Sequence, residues 1–173
     1  MHNVSIIITC GEGQPGLRSL LPDLLSMKYE GNYEVIVVDE MHDKDLKEWL
    51  EEMEVHYPNL THTFCSITAR GIDVHRLALT LGAKAAINEW LVVLPSRLPV
   101  PPLGEGWMNS LVAGIDDQAD VVVCTQKGKR RWNWFTSYFF RRRFSPFRPS
   151  PHTILCRRST VLQGQASRQV VLN

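Results

Sequence analysis

Short apolar runs recur along this chain with starts roughly every 30 residues, the length of a strand, a crossover helix and the return to a neighbouring strand. Val4 to Cys10, Tyr33 to Asp39, Leu60 to Ile67, Trp90 to Leu94 and Val121 to Thr125 read as strands. Runs such as Ile36-Val37-Val38 and Val121-Val122-Val123 do not alternate with polar residues, which is the pattern of parallel strands covered on both faces. Between them, Leu46, Trp49, Leu50 and Met53 fall at i, i+3, i+4 and i+7, with Asp43 or Asp45 available as an N-cap. Val74, Leu77, Ala78, Leu81 and Ala85 repeat the pattern, and Leu17, Leu20, Leu21 and Leu24 give a first helix that Pro22 is expected to interrupt or kink. The alternation predicts an α/β fold of three layers, a mostly parallel sheet with helices on both faces.

A length of 173 residues at 44% hydrophobic composition fits one domain with a real core. The longest apolar runs fall far short of the roughly 20 residues that span a bilayer. No Lys or Arg precedes Val4 to Cys10 and no small-residue cleavage site follows, so cytoplasmic residence is expected. Cys10, Cys65, Cys124 and Cys156 form no C-x-x-C pair and read as buried thiols, not as zinc ligands or a redox motif. The net charge of +1 conceals an asymmetry: all 18 acids lie at or before Asp120, whereas residues 127–173 hold 11 Lys and Arg and no acid. Either the two parts attract each other or the basic part meets an external anion.

In open parallel sheets the ligand crevice lies beyond the carboxyl ends of the strands, which here means Thr9 to Gly16, Asp39 to His42, Ile67 to Asp73 and Leu94 to Pro102. Gly11, Gly13 and Gly16 match a dinucleotide fingerprint in spacing, with Asp39 where a ribose-binding acid could sit, but Pro15 interrupts it. A Rossmann-type binding protein is therefore one reading.

A more specific order of residues gives another. Val4 to Cys10, then Leu20-Leu21-Pro22-Asp23-Leu24-Leu25 with Tyr29, then Tyr33 to Glu40 resemble the opening of family 2 glycosyltransferases. The likeness continues through Ala69-Arg70, Arg76 to Ala86 and Glu89 to Leu94, covering roughly residues 4 to 126. It implies a nucleotide-diphospho-sugar transferase fold of the GT-A type, with a UDP- or GDP-type nucleotide sugar as ligand. By matching position, Thr9 and Cys10 would lie against the nucleotide, and Asp39, followed by Glu40, would accept hydrogen bonds from base or ribose. The competing role for Asp39 is a turn or N-cap acid for the helix beginning near Asp43. Arg70 and Arg76 would pair with diphosphate oxygens, or else be solvated surface arginines.

At the fourth strand's end the family carries an Asp-x-Asp-like element, whereas this chain reads Leu94-Pro95-Ser96-Arg97. A divalent ion needs hard oxygen ligands, so no metal cofactor is expected. Arg97 stands where the metal's charge would be and can itself stabilise a developing phosphate charge, unless the site has simply decayed. An inverting transferase also needs a general base, which the family takes from its later half, and no Asp or Glu follows Asp120. No catalytic residue is nominated. The expectation is a glycosyltransferase-like protein that binds a nucleotide or nucleotide sugar with an impaired catalytic centre. The alternative is a non-catalytic binding or scaffolding module.

The resemblance divides the single domain into a nucleotide-binding part, 1–126, and a truncated acceptor part, 127–173. The latter opens with Lys127, Lys129, Arg130 and Arg131, continues through Trp132, Trp134, Phe135, Tyr138, Phe139 and Phe140, and returns to Arg141, Arg142 and Arg143 before Arg148. As a helix this segment would suit an anionic membrane surface, giving a peripheral location. Alternatively the aromatics cover the sheet while the arginines answer the acidic part. Nucleic acid is not expected, because no binding motif accompanies these residues. His152 to Cys156 reads as a short strand, and the stretch from Gln163 to Asn173 fits a homodimer or other protein contact as well as a frayed end.

Overall fold

A computed structural model describes residues 2–11, 16–65, 73–94, 106–113, 115, 120–124, 153–163 and 169–172. The expected βα alternation is present: β1 (Val4–Cys10), α1 (Leu17–Leu25), β2 (Tyr33–Asp39), α2 (Lys44–His56), β3 (Leu60–Phe64), α3 (Val74–Ala85) and β4 (Trp90–Val93). There follow α4 (Trp107–Val112), β5 (Val121–Cys124), β6 (Thr153–Arg157), α5 (Arg158–Gln163) and β7 (Gln169–Leu172). They form one seven-stranded sheet in the order β3-β2-β1-β4-β6-β5-β7. β1 runs parallel to both β2 and β4, and β2 to β3. β6 lies antiparallel between β4 and β5, while β7 pairs parallel with β5.

All seven residues of β1 are buried, because helices cover it on two sides. Ile6, Ile8, Val35, Val37 and Leu60 pack towards α1, α2 and α4 through Leu21, Leu24, Leu50 and Met108. Ile7, Ile36, Val38 and Leu91 pack on the opposite face against Ala78, Leu79 and Ala83 of α3 and Val161 of α5. The small residues let α3 approach closely: a Cβ on Gly82 would stand 2.8 Å from Ile7 Cγ2. α1 runs through Pro22 as one helix, and the Pro22 carbonyl accepts both the backbone N–H and the hydroxyl of Ser26, which closes its last turn.

At the amino-terminal edge of the sheet, Ser5 is fully buried and donates to Glu34 Oε1, while Asn88 Nδ2 donates to Val4 O at 3.0 Å and Ser5 Oγ at 3.1 Å. This network satisfies the buried hydroxyl and ties β1, β2 and the entry to β4 together. The opposite edge is where the chain turns from strands into helices. Between β1 and β4 the order of connections reverses, and the resulting crevice is where a doubly wound sheet accepts ligands.

Candidate functional site

The crevice floor begins with the turn leaving β2. Strand ends are stitched across it, with Glu40 N donating to Cys10 O and Cys65 N to Asp39 O, both at 2.8 Å. Asp39 Oδ1 accepts from Met41 N at 2.8 Å and Oδ2 from Asp43 N at 2.6 Å. Two charge-assisted bonds therefore hold a turn in which His42 adopts φ 58°, a left-handed conformation that histidine tolerates better than most residues. The His42 ring packs edge-on against Phe64 at 4.5 Å. Asp43 then caps α2, accepting from Asp45 N at 2.9 Å and Leu46 N at 3.3 Å.

Because successive residues of a strand face opposite ways, Glu40 leaves Asp39's side and turns towards α3. There His75 Nδ1 lies 3.0 Å from Glu40 Oε1 and 3.4 Å from Thr9 Oγ1. His75 sits in the first turn of α3, which Asp73 caps by accepting from Arg76 N at 3.2 Å. The side chains of His75 and Glu40 are 14% and 15% exposed, sheltered but within reach of a ligand. Thr9, Cys10 and Asp39 are 1%, 2% and 4% exposed and form the floor beneath. Burial, followed by the charges of Asp39 and Glu40, pushes the Cys10 thiol up to about 12, so Cys10 is a neutral wall and not a nucleophile. Burial also raises Cys65, with Glu40 and Asp39 contributing in that order.

The structure thus brings Thr9, Cys10, Asp39 and Glu40 together, and it gives Asp39 the turn-holding role that competed with nucleotide contact. Arg76 follows His75 in the first turn of α3, with an exposed side chain. Arg70, Arg97 and the segment from Lys127 to Arg148 lie outside the described residues. Asp120, at the start of β5, belongs to the opposite edge of the sheet, where it meets Arg157. His75 was missed in the sequence because an isolated histidine has no motif. Its place in the first turn of a crossover helix, which opens onto the strand ends, was the available signal.

No protein-family model and no curated protein matches the chain. Solved structures do. S. aureus TarS 1-349 aligns with a TM-score of 0.63 over 98% of this chain and 58% of its own, at 18% identity. The same protein in complex with UDP-GlcNAc gives 0.60 over 98% and 56%, at 19% identity. The mannosyltransferase PcManGT from Pyrobaculum calidifontis, in complex with GDP-Man and Mn2+, gives 0.56 over 72% of this chain and 35% of its own, at 19% identity. The fold is the GT-A fold. The chain spans between about a third and three fifths of the length of these neighbours.

Of Leu94-Pro95-Ser96-Arg97, the segment that follows β4, only Leu94 is among the described residues. Among the described residues no group of three His, Cys, Asp or Glu side chains is placed to hold a metal. No helix among them is long and apolar enough to cross a membrane.

Proposed function

We propose that this chain binds a nucleotide or nucleotide sugar in the crevice at the carboxyl ends of β1 and β2, beside the first turn of α3. The observation that supports this most is the cluster of Glu40, His75 and Thr9 above the Asp39 turn, at the carboxyl ends of β1 and β2. The neighbours' complexes with UDP-GlcNAc and GDP-Man supply the ligand class. Arg76 and, by sequence position, Arg70 and Arg97 are the cations assigned to the diphosphate, with Arg97 in place of a metal.

Sugar transfer asks for more than binding, because an acceptor hydroxyl must lose its proton as the glycosidic bond forms. Residues 127–173 contain no carboxylate for that step. That absence favours the second reading, a GT-A-like binding or scaffolding module, for the chain alone. Peripheral attachment to an anionic membrane through Lys127 to Arg148 belongs to the same reading.

Calorimetric titration of the full chain with UDP, GDP, UDP-GlcNAc and GDP-Man, each with and without Mn2+, tests both. Binding at about 100 µM or tighter that is indifferent to metal is the expected result. Failure of all four to bind overturns the proposal. Release of free sugar or sugar transfer in the same solutions overturns the non-catalytic reading.

A further inference from the structure

β3 stands at the edge of the sheet, with β2 on one side and no strand on the other among the described residues. Residues of a strand point their backbone N–H and C=O alternately to its two sides. Cys65 N donates across to Asp39 O, so Thr61 and Thr63 turn theirs towards β2, and Leu60, His62 and Phe64 turn theirs outward. The strand Leu60-Thr61-His62-Thr63-Phe64 carries no Lys, Pro or acid, the residues that ordinarily keep a bare edge from pairing with another chain. Two of its outward amides are nevertheless occupied from within. Leu60 N donates to Tyr57 O at 3.0 Å, and His62 N, at the middle of the strand, donates to Glu54 Oε1 at 2.6 Å. Glu54 lies one turn beyond the buried Leu50 on α2, which brings its carboxylate to the outer side of β3. The His62 ring Nδ1 lies 2.8 Å from the same oxygen but off the direction of a hydrogen bond, so the backbone amide is the partner that Glu54 satisfies.

We propose that Glu54 guards the β3 edge, and that without its carboxylate the strand pairs antiparallel with β3 of a second copy of this chain. A two-fold axis at His62 sets His62 against its own counterpart, Thr61 against Thr63 and Leu60 against Phe64. In that register each His62 N–H meets the other His62 carbonyl, the place that Glu54 Oε1 now takes. Threonine pairs suit adjacent strands, and no like charges face each other across the axis. The guard prevails in the intact chain because its acceptor is charged and belongs to the same molecule. A contact of five residues a side is small beside the roughly 1,600 Å² of a stable interface, so the unguarded dimer is weak. Edge pairing is independent of what the crevice binds.

Sedimentation of the full chain at about 10 µM to 1 mM, with amide hydrogen exchange read along β3, is the test. The wild type should stay monomeric. Glu54→Ala places the best helix former in α2 and should fold. When dilute it should exchange the His62 amide about tenfold or more faster, and in the upper part of the range it should dimerise, with exchange at His62 slowing again. Glu54→Gln keeps an acceptor within reach and should remain monomeric. Adding His62→Lys to Glu54→Ala sets like charges directly opposite each other and should weaken the dimer several-fold. Should Glu54→Ala not fold, Glu54→Asp, one methylene short of the amide, takes its place. A folded Glu54→Ala that stays monomeric, a dimer whose protected amides lie away from β3, a dimer indifferent to His62→Lys, or a wild type that already pairs through β3 overturns the proposal.

Discussion

The four strands β3-β2-β1-β4 and the three strands β6-β5-β7 share one sheet but are built differently. In the first group every pairing is parallel, each connection passes through a helix, and the strand ends converge on the crevice. In the second group β6 enters antiparallel, so its end lies at the edge opposite the crevice. That reversal carries basic residues back to the acidic part of the chain. Arg157 pairs with Glu89 and lies 3.8 Å from Asp120, and its guanidinium stacks 4.7 Å over the Trp90 ring. Arg158 Nε donates to Ala83 O at 2.8 Å and Nη2 to Lys84 O at 3.2 Å, satisfying carbonyls left over at the end of α3. Among the described residues, Arg157 therefore ties the basic part of the chain to the acidic part at the edge opposite the crevice. One group of strands builds the crevice, and the other is fastened at the opposite edge.

The largest expected effect asks whether these groups melt as one. Ile36 in β2 and Leu155 in β6 are both fully buried, on opposite faces of the sheet. Truncating either to Ala leaves a cavity and should cost about 2–5 kcal/mol in denaturant unfolding. Equal costs in a single transition mean that β6 is part of one cooperative core. A cost for Leu155→Ala under about 1 kcal/mol, with a separate early transition, would divide the molecule at the seam between β4 and β6.

The buried thiols sharpen the contrast at slightly smaller magnitude. Cys10 is raised from its ordinary 9.0 to about 12 by burial and then by Asp39 and Glu40, whereas Cys156 reaches about 12 through burial alone. Folding favours the neutral thiol in both places. Their contribution is fully present below 9.0 and is lost as pH rises towards 12, on the order of 2–3 kcal/mol for each by about pH 11. Unfolding measured across this range should show a decline that flattens in Cys10→Ala and in Cys156→Ala. Glu40→Gln should soften the share of Cys10 and leave that of Cys156 unchanged; equal responses would mean that the carboxylates do not act on Cys10.

The first group of strands was legible because its signals are local. Non-alternating runs such as Ile36-Val37-Val38, and the spacing of Leu46, Trp49, Leu50 and Met53, carry their periods within a single element, and Asp43 caps α2 as its position suggested. The second group depends on distant pairings. β6 was visible as a strand, but its place between β4 and β5 follows from no nearby residue. α4, α5 and β7, of four to six residues each, are too short for a period to declare itself. That Thr9, Cys10, Asp39 and Glu40 lie together was legible because strand ends are predictable. The division of labour between Asp39 and Glu40 was not, since it depends on which backbone N–H groups the β2 turn directs at Asp39 and on a histidine 35 residues further on.

The smallest effect concerns the fastening itself. Glu89 is 66% exposed, so its pair with Arg157 is screened by water and should contribute only a few tenths of a kcal/mol. The Arg157 side chain is 23% exposed and covers Trp90, a buried residue at the start of β4, so its stacking and packing should outweigh the ion pair. Arg157→Ala should then cost about 1 kcal/mol, Glu89→Gln less than half of that, and the difference should survive high salt. If Glu89→Gln matches Arg157→Ala and both effects vanish in salt, charge attraction alone holds the basic strand to the acidic sheet. If the ordering holds, the opposite charges chose which surfaces meet, and the flat guanidinium on an indole ring is what keeps them together.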